Sequence, residues 1–184
     1  PRMLCGNLEI LEELEMHVSS FFKREAALVF SSGYLACMSA IAGIVRKGDF
    51  LLMDRLCHAS LKAGAKLGSS PPLYFKHNDF KDAEKLIKKH KAKNSRLIMV
   101  IEGIYSMDGD VGNLEEARKL CDKYAGTLIL DEAHSLGALG KTGRGTEEHF
   151  DYKYIADIIC GSFTKSIASV GGYITCSKDL RNFY

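Results

Sequence analysis

Leu8, Leu11, Leu14, Val18, Phe21 and Phe22 recur at helical intervals, with Glu9, Glu12, Glu13 and Glu15 between them. That spacing predicts an amphipathic helix over roughly 7 to 23. After it come short runs dense in β-branched, aliphatic and aromatic residues, each followed by a longer helical or polar stretch. They are Ala27-Leu28-Val29-Phe30, Phe50-Leu51-Leu52-Met53, Leu73-Tyr74-Phe75, Leu97-Ile98-Met99-Val100-Ile101, Leu128-Ile129-Leu130, Ile158-Ile159-Cys160 and Tyr173-Ile174-Thr175, seven predicted strands in all. Several are apolar at every position rather than alternating, and most connections are long enough for a helical crossover. Together these features predict an α/β fold: a mostly parallel seven-stranded sheet with helices on both faces. The last run follows Lys165 too closely for a crossover helix, so it is expected as an antiparallel strand added at the sheet edge. Residues 79–93 and 113–124 carry helical periodicity with solvated Lys and Glu faces, and Asp179-Leu180-Arg181-Asn182 starts another helix.

Length and composition narrow the class. The chain has 184 residues and a mass of 20.3 kDa, the size of one domain. With 46% hydrophobic and 26% charged residues it has material for a core, which excludes a disordered chain. Lys plus Arg is 25 against 23 for Asp plus Glu, so nothing in the charge asks for nucleic acid or an anionic membrane. The cysteines (Cys5, Cys37, Cys57, Cys121, Cys160, Cys176) include no C-x-x-C pair and read as buried free thiols of a reducing compartment. No apolar run reaches the roughly 20 residues that span a bilayer. A cytoplasmic protein is the expectation. The chain opens at Pro1 and stops at Tyr184 within a starting helix, and is expected to be a piece of a longer protein.

In open α/β sheets ligands sit beyond the carboxyl ends of the strands. Four strand ends carry polar clusters: Ser31-Ser32-Gly33-Tyr34, Glu102-Gly103 with Ser106-Met107-Asp108-Gly109-Asp110, Asp131-Glu132-Ala133-His134, and Gly161-Ser162-Phe163-Thr164-Lys165-Ser166. A nucleotide hydrolase would need a phosphate loop, but the candidate Gly140-Lys141-Thr142 has Ser135 where the pattern wants glycine, and it follows the acidic tetrad instead of preceding it. A serine hydrolase would need a G-x-S-x-G elbow, which neither Ser32 nor Ser162 provides. His58, His77, His134 and Asp131 lack metal-ligand spacing, so no metal is expected.

Taken together, the clusters supply what pyridoxal phosphate requires. The aldehyde needs a lysine, the pyridine nitrogen needs a carboxylate to hold its proton, and the phosphate needs amide donors at a helix start. Lys165 can supply the first, Asp131 the second, and the amides of Gly33 and Tyr34 the third, with the Ser162 hydroxyl as a further phosphate donor. Each residue also has a plainer role: surface charge for Lys165, helix cap for Asp131, core or cap for His58, turn satisfaction for Ser106 and Ser162.

These clusters, together with His58-Ala59-Ser60 and Glu102-Gly103-Ile104-Tyr105-Ser106, occur in the order found in the α-oxoamine synthases, and the chain resembles that family from about residue 2 to its end. Arg2-Met3-Leu4, Gly6-Asn7-Leu8-Glu9 and Gly171-Gly172-Tyr173-Ile174 are most similar to the serine palmitoyltransferase branch. The resemblance implies the large domain of a fold-type I pyridoxal phosphate enzyme, without its N-terminal segment and small C-terminal domain, so that this stretch alone is expected to be inactive. It implies an acyltransferase that condenses L-serine or glycine with an acyl-CoA, with loss of carbon dioxide, in a homodimer. The alternatives are an 8-amino-7-oxononanoate synthase, a glycine C-acetyltransferase, an aminotransferase of the same fold, or a non-catalytic partner subunit.

By the same resemblance Lys165 carries the cofactor and Asp131 pairs with its ring nitrogen. His134 bonds the ring hydroxyl with Ser106 close by, and His58 stacks on the ring and helps orient the substrate carboxylate. Gly33, Tyr34 and Ser162 hold the phosphate, with Glu102 behind them. Two positions depart from the family pattern: Cys37 stands where an asparagine is usual, and Ile10 where palmitoyltransferase relatives often carry histidine.

Overall fold

The computed structural model describes residues 2–184, apart from the side chains of Met3 and Cys5. The chain runs α1 (Arg2–Cys5), α2 (Glu9–Phe21), β1 (Ala26–Phe30), α3 (Gly33–Ala42), β2 (Phe50–Asp54), α4 (Ala59–Leu67), β3 (Leu73–Phe75) and α5 (Phe80–His90). It continues through β4 (Leu97–Glu102), α6 (Leu114–Lys123), β5 (Thr127–Asp131), α7 (Thr146–His149), β6 (Ile158–Ser162), β7 (Gly172–Cys176) and α8 (Lys178–Phe183). All seven strands form one sheet in the order β1-β7-β6-β5-β4-β2-β3. The run β6-β5-β4-β2-β3 is parallel throughout, and β7 is antiparallel to both of its neighbours.

The position of β7 corrects one expectation. It is antiparallel but not an edge, because β1 pairs along its free side from Ala26↔Cys176 to Phe30↔Gly172. The edge role falls to β1, whose Leu28, Val29 and Phe30 are only half-buried, whereas every residue of β7 is buried. The apolar pattern reveals how many faces are covered; which hydrogen-bonding edges are paired is a long-range matter.

Side-chain alternation divides the sheet into two cores. Leu97, Met99, Ile101, Leu128 and Leu130 face α2, α5 and α6. Ile98, Val100, Ile129, Ile158 and Cys160 face α3, α4 and α8. The first residues of the helices show why they begin where they do. Ser32, Asp79, Asn113 and Ser177 each accept an N–H bond from the first turn of α3, α5, α6 and α8 respectively.

Parity then places the site. Counting along β4, β5 and β6, Glu102, Asp131 and Ser162 fall on the α3/α4 face at the carboxyl ends of three adjacent parallel strands. Asp54, at the end of β2, has the opposite parity and faces the other core. It therefore joins a different network, bonding His77 Nδ1 at 3.0 Å and the Asn78 N–H at 2.9 Å.

Candidate active site

A cavity of about 150 Å³ opens where these strand ends meet α3 and α4. Its lining gathers Gly33 and Tyr34 from the start of α3, His58 from the cap of α4, Glu102 from β4, Asp131 with Ala133 and His134 from β5 and its turn, and Ser162 and Lys165 from β6 and its turn. Cys37, Ser60 and Thr164 complete it.

The start of α3 has the form of an anion cradle. Ser32 takes the N–H of Leu35 on its side chain at 3.1 Å and that of Ala36 on its carbonyl at 3.1 Å. The N–H groups of Gly33 and Tyr34 have no acceptor among the described residues. They open the positive end of a ten-residue helix. Glycine is required there by contact: a Cβ on Gly33 would fall 2.4 Å from Ser162 Cβ. Ser162 itself is buried, and its Oγ accepts the Thr164 N–H at 3.1 Å and shares a hydrogen with Thr164 Oγ1 at 2.7 Å.

Asp131 is 4% exposed, yet both of its oxygens are held. Oδ1 accepts the Ala133 N–H at 2.9 Å and Oδ2 accepts the Cys37 S–H at 3.3 Å. Burial pushes its pKa up, while those two donors and the nearby His58 and Lys165 act in the opposite direction. Glu102 is equally enclosed; burial and the charge of Asp131 raise it, and its Oε1 accepts the backbone N–H of His58. The His58 ring caps α4, with Nδ1 accepting the Ser60 N–H at 3.2 Å, which leaves Nε2 as the protonated nitrogen. Burial, with Lys165 and His58 nearby, depresses His134, so its imidazole is neutral near pH 7 and can give or take one hydrogen bond.

Ser106 does not line this cavity. Tyr105 is buried with its hydroxyl accepting the Glu102 N–H at 3.3 Å, and the turn that follows leaves Ser106 exposed. Lys165 is exposed at the cavity rim in the turn after β6. Glu132, within the same tetrad as Asp131, turns to the opposite face. There it accepts the Thr146 N–H at 2.9 Å, the Thr146 hydroxyl at 2.8 Å and the Ser135 hydroxyl, fixing the start of α7. Ser60 and Thr164 belong to the clusters named from the sequence but had no role assigned there, because ordinary caps and turns use the same residues. Cys37 was visible only as a departure from a resemblance.

The residues fit pyridoxal phosphate by their donor chemistry. A cradle with unpaired amides at one end, a buried carboxylate with free lone pairs beneath, and a lysine at the rim are the three attachments that group needs.

A doubly covered α/β sheet with these groups at its strand ends is the architecture of the fold-type I cofactor enzymes. A family model described as aminotransferase class I and II matches residues 1–184. The 8-amino-7-oxononanoate synthase of Thermoanaerobacter pseudethanolicus is 39% identical over 97% of this chain and 45% of its own length. The serine palmitoyltransferase of Bacteroides ovatus is 38% identical over 99% of this chain and 46% of its own. Among solved structures, serine palmitoyltransferase from S. paucimobilis with a bound PLP-myriocin aldimine superposes with a TM-score of 0.93 at 32% identity, over 99% of this chain and 47% of that one. The chain therefore belongs to the class I and II aminotransferase family, in its α-oxoamine synthase branch. It spans about half the length of the curated relatives it matches.

Proposed function

We propose that this chain is the cofactor-binding half of a pyridoxal phosphate-dependent C-acyltransferase that joins an amino acid, L-serine or glycine, to an acyl-CoA with loss of carbon dioxide. The observation that carries the reading is the convergence of Lys165, Asp131, His134, His58 and the Gly33-Tyr34 amides on one cavity. Similarity to serine palmitoyltransferases and 8-amino-7-oxononanoate synthases supports the acyltransferase class over an aminotransferase. The full-length protein is proposed to act as a cytoplasmic homodimer; among the described residues no helix is long and apolar enough to cross a membrane.

Pyridoxal phosphate would supply an electron sink for the carbanion at the amino acid's Cα. The protein's own tasks follow from position. Asp131, ionised, holds a proton on the ring nitrogen, and the Gly33 and Tyr34 amides with the Ser162 hydroxyl bind phosphate. His134, neutral, would hold the ring hydroxyl, and His58 would pack against the ring and orient the amino acid carboxylate. Lys165 would hold the aldehyde, and its amine at the cavity rim is the base placed to move the proton at the amino acid's Cα.

The test is to load the full-length protein with pyridoxal phosphate, reduce with borohydride and map the modified peptide. A label on Lys165, absent from Lys165→Ala, is expected. A label on another lysine, or none, would overturn the reading.

A further inference from the structure

We infer that Cys37 is a positioning residue for Asp131: its S–H holds Oδ2 so that the carboxylate presents a fixed lone pair to the cavity, with Cys160 as the second thiol behind it. This rests on the pyridoxal phosphate reading of the same site. The geometry begins in the sheet register, where Asp131 on β5 lies opposite Cys160 on β6. Helix α3 brings Cys37 down onto the same spot, and the sulfurs of Cys37 and Cys160 and a carboxylate oxygen of Asp131 lie within 4.8 Å of one another, all buried.

Asp131 has two fixed donors, the Ala133 N–H on Oδ1 and the Cys37 S–H on Oδ2. Together they set the plane of the carboxylate, because rotation about Cβ–Cγ would break both bonds. Each oxygen keeps a further lone pair for a ring N–H. Cys37 has one hydrogen and spends it on Asp131, so towards Cys160 its sulfur can only accept. The second thiol thus leaves the direction of the Cys37 S–H unchanged. A thiol is a weak donor, and so withdraws little charge from the carboxylate. The site gains orientation while Asp131 retains its basicity towards the cofactor.

Two readouts test this. In the infrared spectrum of the full-length protein, the S–H band lost in Cys37→Ala is expected at lower frequency than those of Cys121 and Cys176, and is expected to move up in Asp131→Asn. In the holoenzyme, Cys37→Ala is expected to weaken pyridoxal phosphate binding about tenfold, the size of a lost bond to a charged group, with Cys37→Ser restoring it to within about threefold. A Cys37 band indifferent to Asp131→Asn would overturn the inference, as would Ala and Ser variants that fold and bind the cofactor equally well. Should Cys37→Ala fail to fold, the Ser variant can identify the band instead. Failure of the unsubstituted protein to take up cofactor would sink the parent reading while leaving the infrared result to stand or fall separately.

Discussion

Glu102 and Asp131 lie directly opposite each other at the ends of neighbouring parallel strands, two buried carboxylates facing one cavity. Burial raises both, and the charge of Asp131 raises Glu102 further, whereas His58 and Lys165 favour the ionised form of Asp131. A proton shared between such a pair therefore resides on Glu102. Glu102→Gln, which resembles the protonated form and still accepts from His58, is expected to keep cofactor affinity within about threefold, while Asp131→Asn loses about tenfold or more. Equilibrium titration with pyridoxal phosphate checks both; equal losses would contradict the assignment.

The Gly33 contact predicts a steric effect. A methyl at residue 33 meets Ser162 Cβ at 2.4 Å, so Gly33→Ala must lift the start of α3 off β6. The expected cost is about 1–3 kcal/mol of stability. Cofactor affinity is expected to fall as well, because the cradle amides move with the helix. Denaturant melts and phosphate titration measure the two; an unchanged cradle affinity would show that the anion binds elsewhere.

Glu132 predicts a pH dependence of folding. Burial raises its pKa to about 7, against the lowering effect of Ser135 and Thr146. Folding thus takes up a proton, so this group's contribution falls as pH rises from its unfolded value near 4.5 through 7. Glu132→Gln is expected to remove roughly 3 kcal/mol of that slope. Stability curves at pH 5 and pH 8 test it, and parallel curves for parent and variant would refute it.

His77 runs in the opposite sense. Burial lowers its pKa, but bonds to Asp54 at 3.0 Å and Asp110 at 2.7 Å outweigh this and leave it raised. The stabilisation is complete below the unfolded value of about 6.5 and is lost as pH rises through the higher folded value. His77→Gln is expected to cost about 1–3 kcal/mol at pH 6 and progressively less in more alkaline buffer. A cost that does not change with pH would mean that the imidazole is not charged in the fold.

The local elements were readable because they answer to local chemistry. The runs around Leu28, Leu52, Val100, Ile129 and Ile174 are strands within a residue or two of where they were expected, and the Leu8 to Phe22 periodicity is α2. The short α7 was not legible: its cap is Gly145 at φ 96°, and it is held by Glu132 and Glu147 rather than by its own periodicity. That Ser106 stands outside the cavity lining was not legible either, since it follows from the burial of Tyr105 against the Glu102 N–H.

By itself the sequence determined the fold class and the residue types at the four strand ends, because covered faces and turn chemistry are written in short stretches of chain. Only the tertiary structure decided that β7 is interior, that Asp131 and Glu132 part to opposite faces, and that Cys37 meets Asp131 across 94 positions. Those outcomes depend on the pairing of distant edges and the seating of one helix on two strands. No local pattern encodes such contacts, since their energy exists only once the surfaces have met.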